Sequence, residues 1–383
     1  MVELKARFDE QNNLQWVRKL EENGIHVAYG TVGLKTHTKT ALVVREEDDG
    51  VTLYSHVATG NYHSETAKGY VDLGLLTADP DVGQDLAKVF NFFTGPALDE
   101  SFRKLLIAPV TMRGAITRAI RQEAENARAG EAARIVAKVN ALENPAIVEE
   151  LYRASMAGVD IDLIVRGICR LRPGLEGVSE SVSVYSLVGR FLEHSRIYYF
   201  ENAGDSDEEL GDPRYYIGSA DWMTRNLDNR VEAVVPVEDP AIQRQLKYNL
   251  ELIMADNRRV WDMQSDGRYV QRRPADDARV VDTQAVLMDD ARRAARRGEG
   301  RGLEDPYPID GDLRVTNRAA GIDGGTGPSA ADGELPFPLV DRPDVWYHPD
   351  SEHYRYAVVD PSGERHYRKT SDGAASVVER LYE

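Results

Sequence analysis

Cysteine occurs once in 383 residues, at Cys169. That excludes an internal disulfide and any metal site built from several thiolates, and leaves a buried neutral thiol as the expected role. Lysine is scarce as well, supplying 10 of 47 basic residues against 64 acidic ones, for a formal charge of −17. A surface whose whole field gathers nucleic acid is thereby excluded, because such binding is driven largely by neutralising phosphates. The arginine-over-lysine, acidic balance reads as adaptation to a salty cytoplasm. Also missing is any apolar run near the ~18 residues of a spanning helix. Met1 to Glu10 has neither the basic start nor the apolar core of a signal peptide. The expectation is a cytoplasmic protein with no membrane span and no nucleic-acid partner.

The apolar fraction, 42%, is ample for a real core, and the length suits two or three domains. Net charge constrains only the average field, and basic residues gather locally: Arg7, Lys35, Lys39, Arg45, Arg166, Arg170, Arg172 and Arg196 flank the motifs below. In chain order, the patterning predicts a strand at Val2 to Ala6, a helix over 11 to 23, and a short strand from Ile25 to Tyr29. The polar turn Gly33 to Thr40 follows and runs into a hairpin of strands Ala41 to Arg45 and Val51 to Val57. Thr59 to His63 is a tight turn opening a helix, and Leu73 to Pro80 caps another over 81 to 94. From 104 onward strands alternate with helices: Lys104 to Val110, 112 to 129, Ala133 to Asn140, 144 to 157, Val159 to Val165. Such alternation predicts an α/β layer with a largely parallel sheet, whose ligands collect at the carboxyl ends of strands, where Arg166 and Gly167 lie. Strands at Val182 to Leu187, His194 to Phe200, Tyr215 to Gly218 and Val231 to Val237 complete the set, with helices over 240 to 255 and 282 to 297. Residues 301 to 335, with seven glycines and three prolines, read as a flexible linker before a small β-β-α appendix.

Two segments repeat one pattern. The first runs His37-x-Lys39, an apolar strand, Thr59-Gly60-Asn61-Tyr62, then Asp72. The second runs His194-x-Arg196, the strand Ile197 to Phe200, Ser219-Ala220-Asp221-Trp222, then Glu232. Histidine and hydroxyl residue stand 22 apart in one copy and 25 in the other, and Asn61 to Asp72 and Asp221 to Glu232 are both 11. Residues two apart on a strand share a face, so each histidine and its cation point into one pocket. Duplication brings two imidazoles together across a pseudo-twofold.

The chemistry this suits is phosphoryl transfer. A neutral imidazole, with an ordinary pKa of ~6.5, is a competent nucleophile and forms a labile phosphoramidate. Fixed cations stabilise the charge that the transition state spreads over non-bridging oxygens. Asp72 and Glu232 are placed to orient the rings by accepting the second N–H. A single His-x-Lys at a strand start is ordinarily a solvated edge, and the matched repeat is what raises this one above that. His63 reads as an exposed helix-start residue, Tyr185, Tyr198, Tyr199, Tyr215 and Tyr216 as core, and Arg292 to Arg297 as a solvated helix end.

These motifs resemble the catalytic domains of the long-chain polyphosphate kinase family, whose fold is similar to phospholipase D. The likeness is carried by Val2 to Glu10, Gly33 to Lys39, Thr59 to Tyr62, Tyr70-Val71-Asp72, Leu75 to Asp79, Val165 to Cys169, Glu193 to Arg196 and Ser219 to Asn226, across residues 1 to 260. It implies two phospholipase D-like catalytic domains, each a mixed sheet flanked by helices. Residues 1–100 form the first, lacking its opening strands and the helical and head domains that precede it in the family; 101–280 form the second. A helix and linker over 281–335 and an appendix over 336–383 follow. The resemblance implies His37 as the phosphohistidine, His194 as the residue assisting transfer, and Lys39 and Arg196 as charge clamps. Tyr70, Arg166, His194 and Asp72 would serve the nucleotide, and Arg7 would bind phosphate oxygens that hold Mg²⁺, since a guanidinium cannot ligate a cation. The reaction would be reversible transfer of the terminal phosphoryl group of ATP to polyphosphate, releasing ADP. A non-catalytic polyphosphate- or nucleotide-binding remnant, half of a split enzyme completed by an N-terminal chain, and a homo-oligomer are the alternative expectations. A phospholipase-type diesterase expects an acidic residue five positions after the lysine; Val44 stands there in copy one and Glu201 in copy two, which weakens that reading.

Overall fold

The structure is a computed structural model that describes residues 1–3, 10–30, 33–48, 50–95, 101–201, 213–275 and 278–297, and four strands between 338 and 368. Helix α1 (Glu10–Glu22) precedes β1 (Lys35–Thr36) and the hairpin β2 (Lys39–Glu47) and β3 (Gly50–Ala58). Then come α2 (Thr66–Gly69), β4 (Tyr70–Val71), β5 (Gly74–Thr77) and α3 (Pro80–Thr94). The second copy begins with β6 (Leu106–Ala108), α4 (Met112–Ala129), β7 (Arg134–Val139), α5 (Pro145–Met156), β8 (Asp160–Val165) and β9 (Val182–Leu187). It continues through β10 (Leu192–Glu193), β11 (Ile197–Phe200), β12 (Arg214–Gly218), α6 (Thr224–Asp228), β13 (Arg230–Val237), α7 (Pro240–Ala255), β14 (Val260–Met263), β15 (Tyr269–Gln271) and α8 (Thr283–Arg297).

Three helices share one start signal. Asp79, Asn144 and Asp239 each precede a proline and accept two backbone N–H groups of the first turn, so the side chain satisfies orphan donors while proline occupies a position that needs none. The larger sheet runs β1-β13-β12-β11-β7-β8-β9-β14, with β6 also on β13. Only β1 on β13 and β7-β8-β9 are parallel there; β11, β12, β13, β6 and β14 pair antiparallel. The sheet is mixed, as the family resemblance implied, and the largely parallel sheet read from the alternation alone is corrected. Strand periodicity shows which residues face inward, but the direction of pairing is set by connections it does not encode. The consequence is favourable for a site: the carboxyl ends of β7, β8 and β12 and the amino ends of β11 and β13 meet on one edge.

Several expected strands change extent. Lys104 to Val110 contracts to β6, and His194 to Phe200 shortens to β11, with the separate two-residue strand β10 just before it. Leu73 to Pro80, read as a helix cap, contains β5, which pairs with β3. Val2 and Tyr29 make a parallel bridge; the rest of the strand expected at Val2 to Ala6 lies largely outside the described residues, and Ile25 to Tyr29 otherwise forms no strand. The fully buried core includes Leu86 and Val89 of α3, Ile107 of β6, and Val231, Ala233 and Val235 of β13. A second compact unit contains the antiparallel meander β16 (Pro338–Leu339), β17 (Arg342–Tyr347), β18 (Tyr356–Val359) and β19 (Arg365–Arg368). The appendix is thus richer in strands than expected; the linker and the closing helix lie outside the described residues.

Asp85 ties α3 to the segment entering β6. Its buried carboxylate accepts backbone N–H groups from Arg103 at 2.9 Å, Lys104 at 2.8 Å and Leu105 at 3.0 Å. Asp85→Ala leaves those donors without their acceptor and is expected to cost about 3 kcal/mol, read as a lower urea midpoint. Asp85→Asn, which keeps one accepting oxygen, is expected to recover part of the loss.

Candidate active site

The two histidine segments are held by the opposite copy. β1 pairs parallel with β13, placing Lys35 on Arg230 and Thr36 on Val231, and β10 pairs parallel with β4, placing Leu192 on Tyr70 and Glu193 on Val71. At the end of each short pairing the chain turns around one carbonyl. His37 and Thr38 both donate their N–H to the Val231 oxygen (3.0 and 2.9 Å), and His194 and Ser195 both donate to the Val71 oxygen (3.2 and 2.8 Å). The next residue after each carbonyl-bearing valine is the acid. Glu232 therefore meets His37 Nδ1 at 2.8 Å, and Asp72 meets His194 Nδ1 at 2.8 Å. Each imidazole is oriented by the carboxylate of the other repeat.

The acids are themselves fixed by the repeated hydroxyls. Thr59 donates to Asp72 at 2.6 Å, and Ser219 donates to Glu232, which also accepts from Asn226 Nδ2 at 2.6 Å. Each hydroxyl accepts a backbone N–H in return, from Leu73 and Ala233. Gly60 runs so close to Asp72 that an added Cβ would lie 2.3 Å from its carboxyl carbon, whereas the matching position in the repeat carries Ala220, ahead of the longer acid Glu232.

Burial pushes His37 down to about 4, only partly offset by Glu232, while Lys39 adds to the lowering. Burial works to raise the Glu232 carboxyl, but His37, Lys39 and Ser219 outweigh it and hold it below the usual range. The pair is thus a neutral ring donating Nδ1–H to a carboxylate, with the Nε2 lone pair left for chemistry. His194 is also lowered, first by burial and then by Arg196 and Arg166. Burial likewise works to raise Asp72, and His194, Thr59 and Arg196 hold it low. The rings differ in one respect: Arg196 Nη1 lies against the His194 ring, 3.2 Å from Nε2 and 3.5 Å from Nδ1.

Arg196 is the hub between copies. Buried, it pairs with both oxygens of Asp221 at 3.2 Å, donates to the His194 carbonyl at 2.9 Å, and crosses to the Thr59 carbonyl at 3.1 Å. Lys39, its counterpart, donates to the His37 carbonyl. Burial first, with Arg196 and Arg230 adding to it, pushes the Lys39 ammonium down to about 7.

A cavity of about 370 Å³ is lined by His37, Arg166, Arg196, Arg225, Arg230 and Asn140, among others, a size within the usual range of small-ligand sites. Its cations are fixed. Arg166 Nε donates to the Asn140 side-chain oxygen at 2.5 Å, while Asn140 Nδ2 reaches the His194 carbonyl at 3.4 Å and its backbone N–H donates to Asp221 at 2.8 Å. Gly167 permits this convergence, since a Cβ there would lie 2.8 Å from the Asn140 carbonyl oxygen.

Of the residues singled out from sequence, His37, Lys39, Asp72, Arg166, His194 and Arg196 come together. Tyr70 joins them, its ring 5.2 Å from the His194 ring, centre to centre. Arg7 lies outside the described residues. Arg45 and Arg170 turn instead to Glu47 and Glu143, and His63, exposed, accepts the Thr66 N–H at the start of α2. Cys169 is half-buried, its thiol pushed up to about 11 by burial. Asn140, Arg225 and Arg230 were not anticipated. For Arg230 a signal existed: it stands two before Glu232 as Tyr70 stands two before Asp72. Among the described residues no three His, Cys, Asp or Glu side chains converge on a possible metal position. The donor set fits a cation carried on phosphate oxygens, with guanidinium groups clamping those same oxygens, better than a protein-built cage. No helix among the described residues is long and apolar enough to cross a membrane.

Comparison with known proteins gives a consistent result. Residues 1–99 match the family described as polyphosphate kinase C-terminal domain 1, and residues 105–284 match polyphosphate kinase C-terminal domain 2. A polyphosphate kinase of Thermosynechococcus vestitus is 56% identical over 288 residues, covering 75% of this chain and 38% of that protein. One from Streptomyces coelicolor is 48% identical over 296 residues, covering 77% and 39%. The crystal structure of a polyphosphate kinase from Porphyromonas gingivalis superposes with a TM-score of 0.68 at 35% identity, over 77% of this chain and 45% of that one. The chain thus spans about two fifths of the length of the curated relatives it matches.

Lys39, bonded to the carbonyl of the cavity-lining His37, makes the charge beside the cavity depend on pH near neutrality. In the free protein its ammonium loses its proton as pH rises through about 7, and an anion beside it favours the charged form. Pyrophosphate binding at about pH 7.5 is therefore expected to take up protons. Calorimetry in two buffers of different ionisation enthalpy reads that uptake, and Lys39→Arg, permanently charged, is expected to bind without Lys39's share of it.

Proposed function

Because the chain belongs to the polyphosphate kinase family, we propose that it carries out that family's phosphoryl transfer, with His37 as the residue that carries the phosphoryl group in the intermediate. The observation that supports this most directly is the pair of crossed imidazole–carboxylate contacts beside an arginine-lined cavity. In the proposed reaction the Nε2 lone pair of His37 attacks the terminal phosphorus of ATP, and the bond from that phosphorus to the bridging oxygen breaks as ADP leaves. A terminal oxygen of polyphosphate then attacks the phosphorus, the P–N bond breaks, and the imidazole is returned neutral. Run backwards, the same steps make ATP.

The residues around the two rings supply what such a transfer needs. Glu232 keeps the proton on Nδ1 and therefore the lone pair on Nε2. Arg166, Arg196, Arg230 and Lys39 spread positive charge over the non-bridging oxygens, and their packing against Asn140, Asp221 and Glu232 leaves little reorganisation to be done in the transition state. His194, its Nδ1 on Asp72 and Arg196 against its ring, is proposed to steady the departing phosphate rather than to attack: it would take a proton at Nε2 as the polyanion binds and offer that N–H to the phosphate oxygens. Tyr70, against the His194 ring, and Arg166 lie on the side proposed for nucleotide. Mg²⁺ would arrive on the phosphate oxygens of ATP, screening their charge; Arg7 is proposed to bind those oxygens. Residues 1–100 and 101–280 act as two halves of one site in this reading, since each supplies the other's acid.

Incubation with terminally radiolabelled ATP and Mg²⁺ is expected to leave acid-labile, base-stable label on the protein. His37→Ala is expected to abolish it, and His194→Ala to slow its appearance by about 100-fold. No label on the wild-type chain, with ATP and polyphosphate still retained, would overturn the catalytic reading in favour of a binding role. Label that survives in His37→Ala would overturn the assignment of the nucleophile.

A further inference from the structure

Behind His194 lies a buried polar chain that the transfer reaction does not use. Gln284, second residue of α8, is 4% exposed. Its Nε2 donates to the Phe191 carbonyl at 2.9 Å and to Glu193 Oε1 at 2.7 Å, and its Oε1 accepts the Phe191 N–H at 2.9 Å. The other oxygen of Glu193 lies 3.1 Å from Lys138 Nζ, on β7. That ammonium donates to Ser195 Oγ at 2.8 Å and to the Ser195 carbonyl at 3.1 Å. Residues 191, 193 and 195 are thus gripped from α8 and β7, on both sides of His194. The start of α8 is itself anchored: Thr283 N–H donates to Asp256 at 2.7 Å, and the Thr283 hydroxyl donates to the Leu252 carbonyl at 3.2 Å.

The first repeat is held differently: Thr36 donates its backbone N–H to Glu3 at 2.8 Å, and Lys39 donates to the His37 carbonyl. Thr36 and Thr38 stand where Glu193 and Ser195 stand, and both hydroxyls are buried without a hydrogen-bond partner. A buried ion pair such as Lys138–Glu193 is weak evidence of stabilisation, because desolvation offsets most of its attraction. A fully satisfied network does, however, fix geometry. This one fixes a strand of two residues, β10, whose next residue carries the ring that must meet both Asp72 and Arg196.

We propose that Gln284, acting through Glu193 and Lys138, is a positioning residue for His194, so that the first turn of α8 belongs to the working parts of the site although it touches no substrate. The proposal rests on the reading of His194 as the histidine that assists transfer, and its test follows His194 by a signal that needs no turnover. The full 383-residue chain is labelled with isotopic histidine and the His194 ring resonances are assigned by their loss in His194→Gln. Their pH titration is compared in wild type, Gln284→Ala, Gln284→Glu and the reciprocal exchange Glu193→Gln with Gln284→Glu, beside the thermal midpoint of each.

Loosening the grip admits water, so Gln284→Ala is expected to move the His194 midpoint up by about half a pH unit or more and to slow labelling by ATP about tenfold. Gln284→Glu sets two carboxylates against each other and is expected to do at least as much. The reciprocal exchange restores a carboxamide-to-carboxylate bond and is expected to return the titration most of the way to wild type, which a sum of independent effects would not. A His194 titration unmoved in both single variants, whatever their thermal midpoints, would overturn the proposal, as would a reciprocal variant no better than the singles combined. If the wild-type chain takes no label from ATP, the functional reading fails by itself, and the titration still decides the role of Gln284.

Discussion

Each histidine of this protein takes its orienting carboxylate from the opposite repeat, and the arrangement of the remaining site follows from that exchange. For Glu232 to reach His37, β1 must lie along β13; for Asp72 to reach His194, β10 must lie along β4. Both pairings are two residues long and end on a single carbonyl shared by two successive amides. Neither would persist as an isolated element, since so few ladder bonds cannot offset the chain entropy they fix. They are held in place by the sheet behind them, by the repeated hydroxyls of Thr59 and Ser219, and by Arg196, which bridges the copies. A mixed sheet is what makes the meeting possible, because it brings strand ends of both polarities to one edge.

Within this near-symmetry the two imidazoles are placed in different surroundings. His37 has its Nε2 toward a cavity and sits between threonines whose buried hydroxyls have no partner among the described residues. His194 has Arg196 against its Nε2 and flanking residues tied into a buried network reaching α8. Both rings are held in place, His37 by Glu232 and the Val231 carbonyl and His194 by Asp72 and the Val71 carbonyl, as a reaction that depends on orientation requires; what differs is the charge set against each ring.

Much of this was legible in the sequence, and the limits are instructive. The Asp-Pro and Asn-Pro starts of α3, α5 and α7 are local signals, and those helices fall where they were expected. The repeat correctly picked out His37, His194, Lys39, Arg196, Asp72 and Glu232 as one set. What spacing did not carry was the pairing within it: Asp72 lies downstream of His37 in the chain but serves His194 in space, because a repeat shows equivalence of parts and says nothing of which copy completes which. That His194 to Arg196 lie between strands was hidden for the same reason, since the carbonyl that His194 and Ser195 share lies on Val71, more than a hundred positions away. Asn140 gave no signal at all. A single asparagine after a strand is unremarkable until its oxygen is found on Arg166 and its amide near the His194 carbonyl. Arg230 was within reach, had the alignment of copies been extended two residues back from Glu232.

The two repeats are alike without being identical. Beside the shorter acid, Asp72, the chain carries Gly60, with no room for a methyl group; in the repeat whose acid is one methylene longer, Glu232, the corresponding residue is Ala220. The halves are consequently not interchangeable modules: recombination that copied the alanine of one into the other without its acid would drive a methyl group into a carboxylate. Any attempt to build a perfectly symmetrical version must transplant both members of a pair at once.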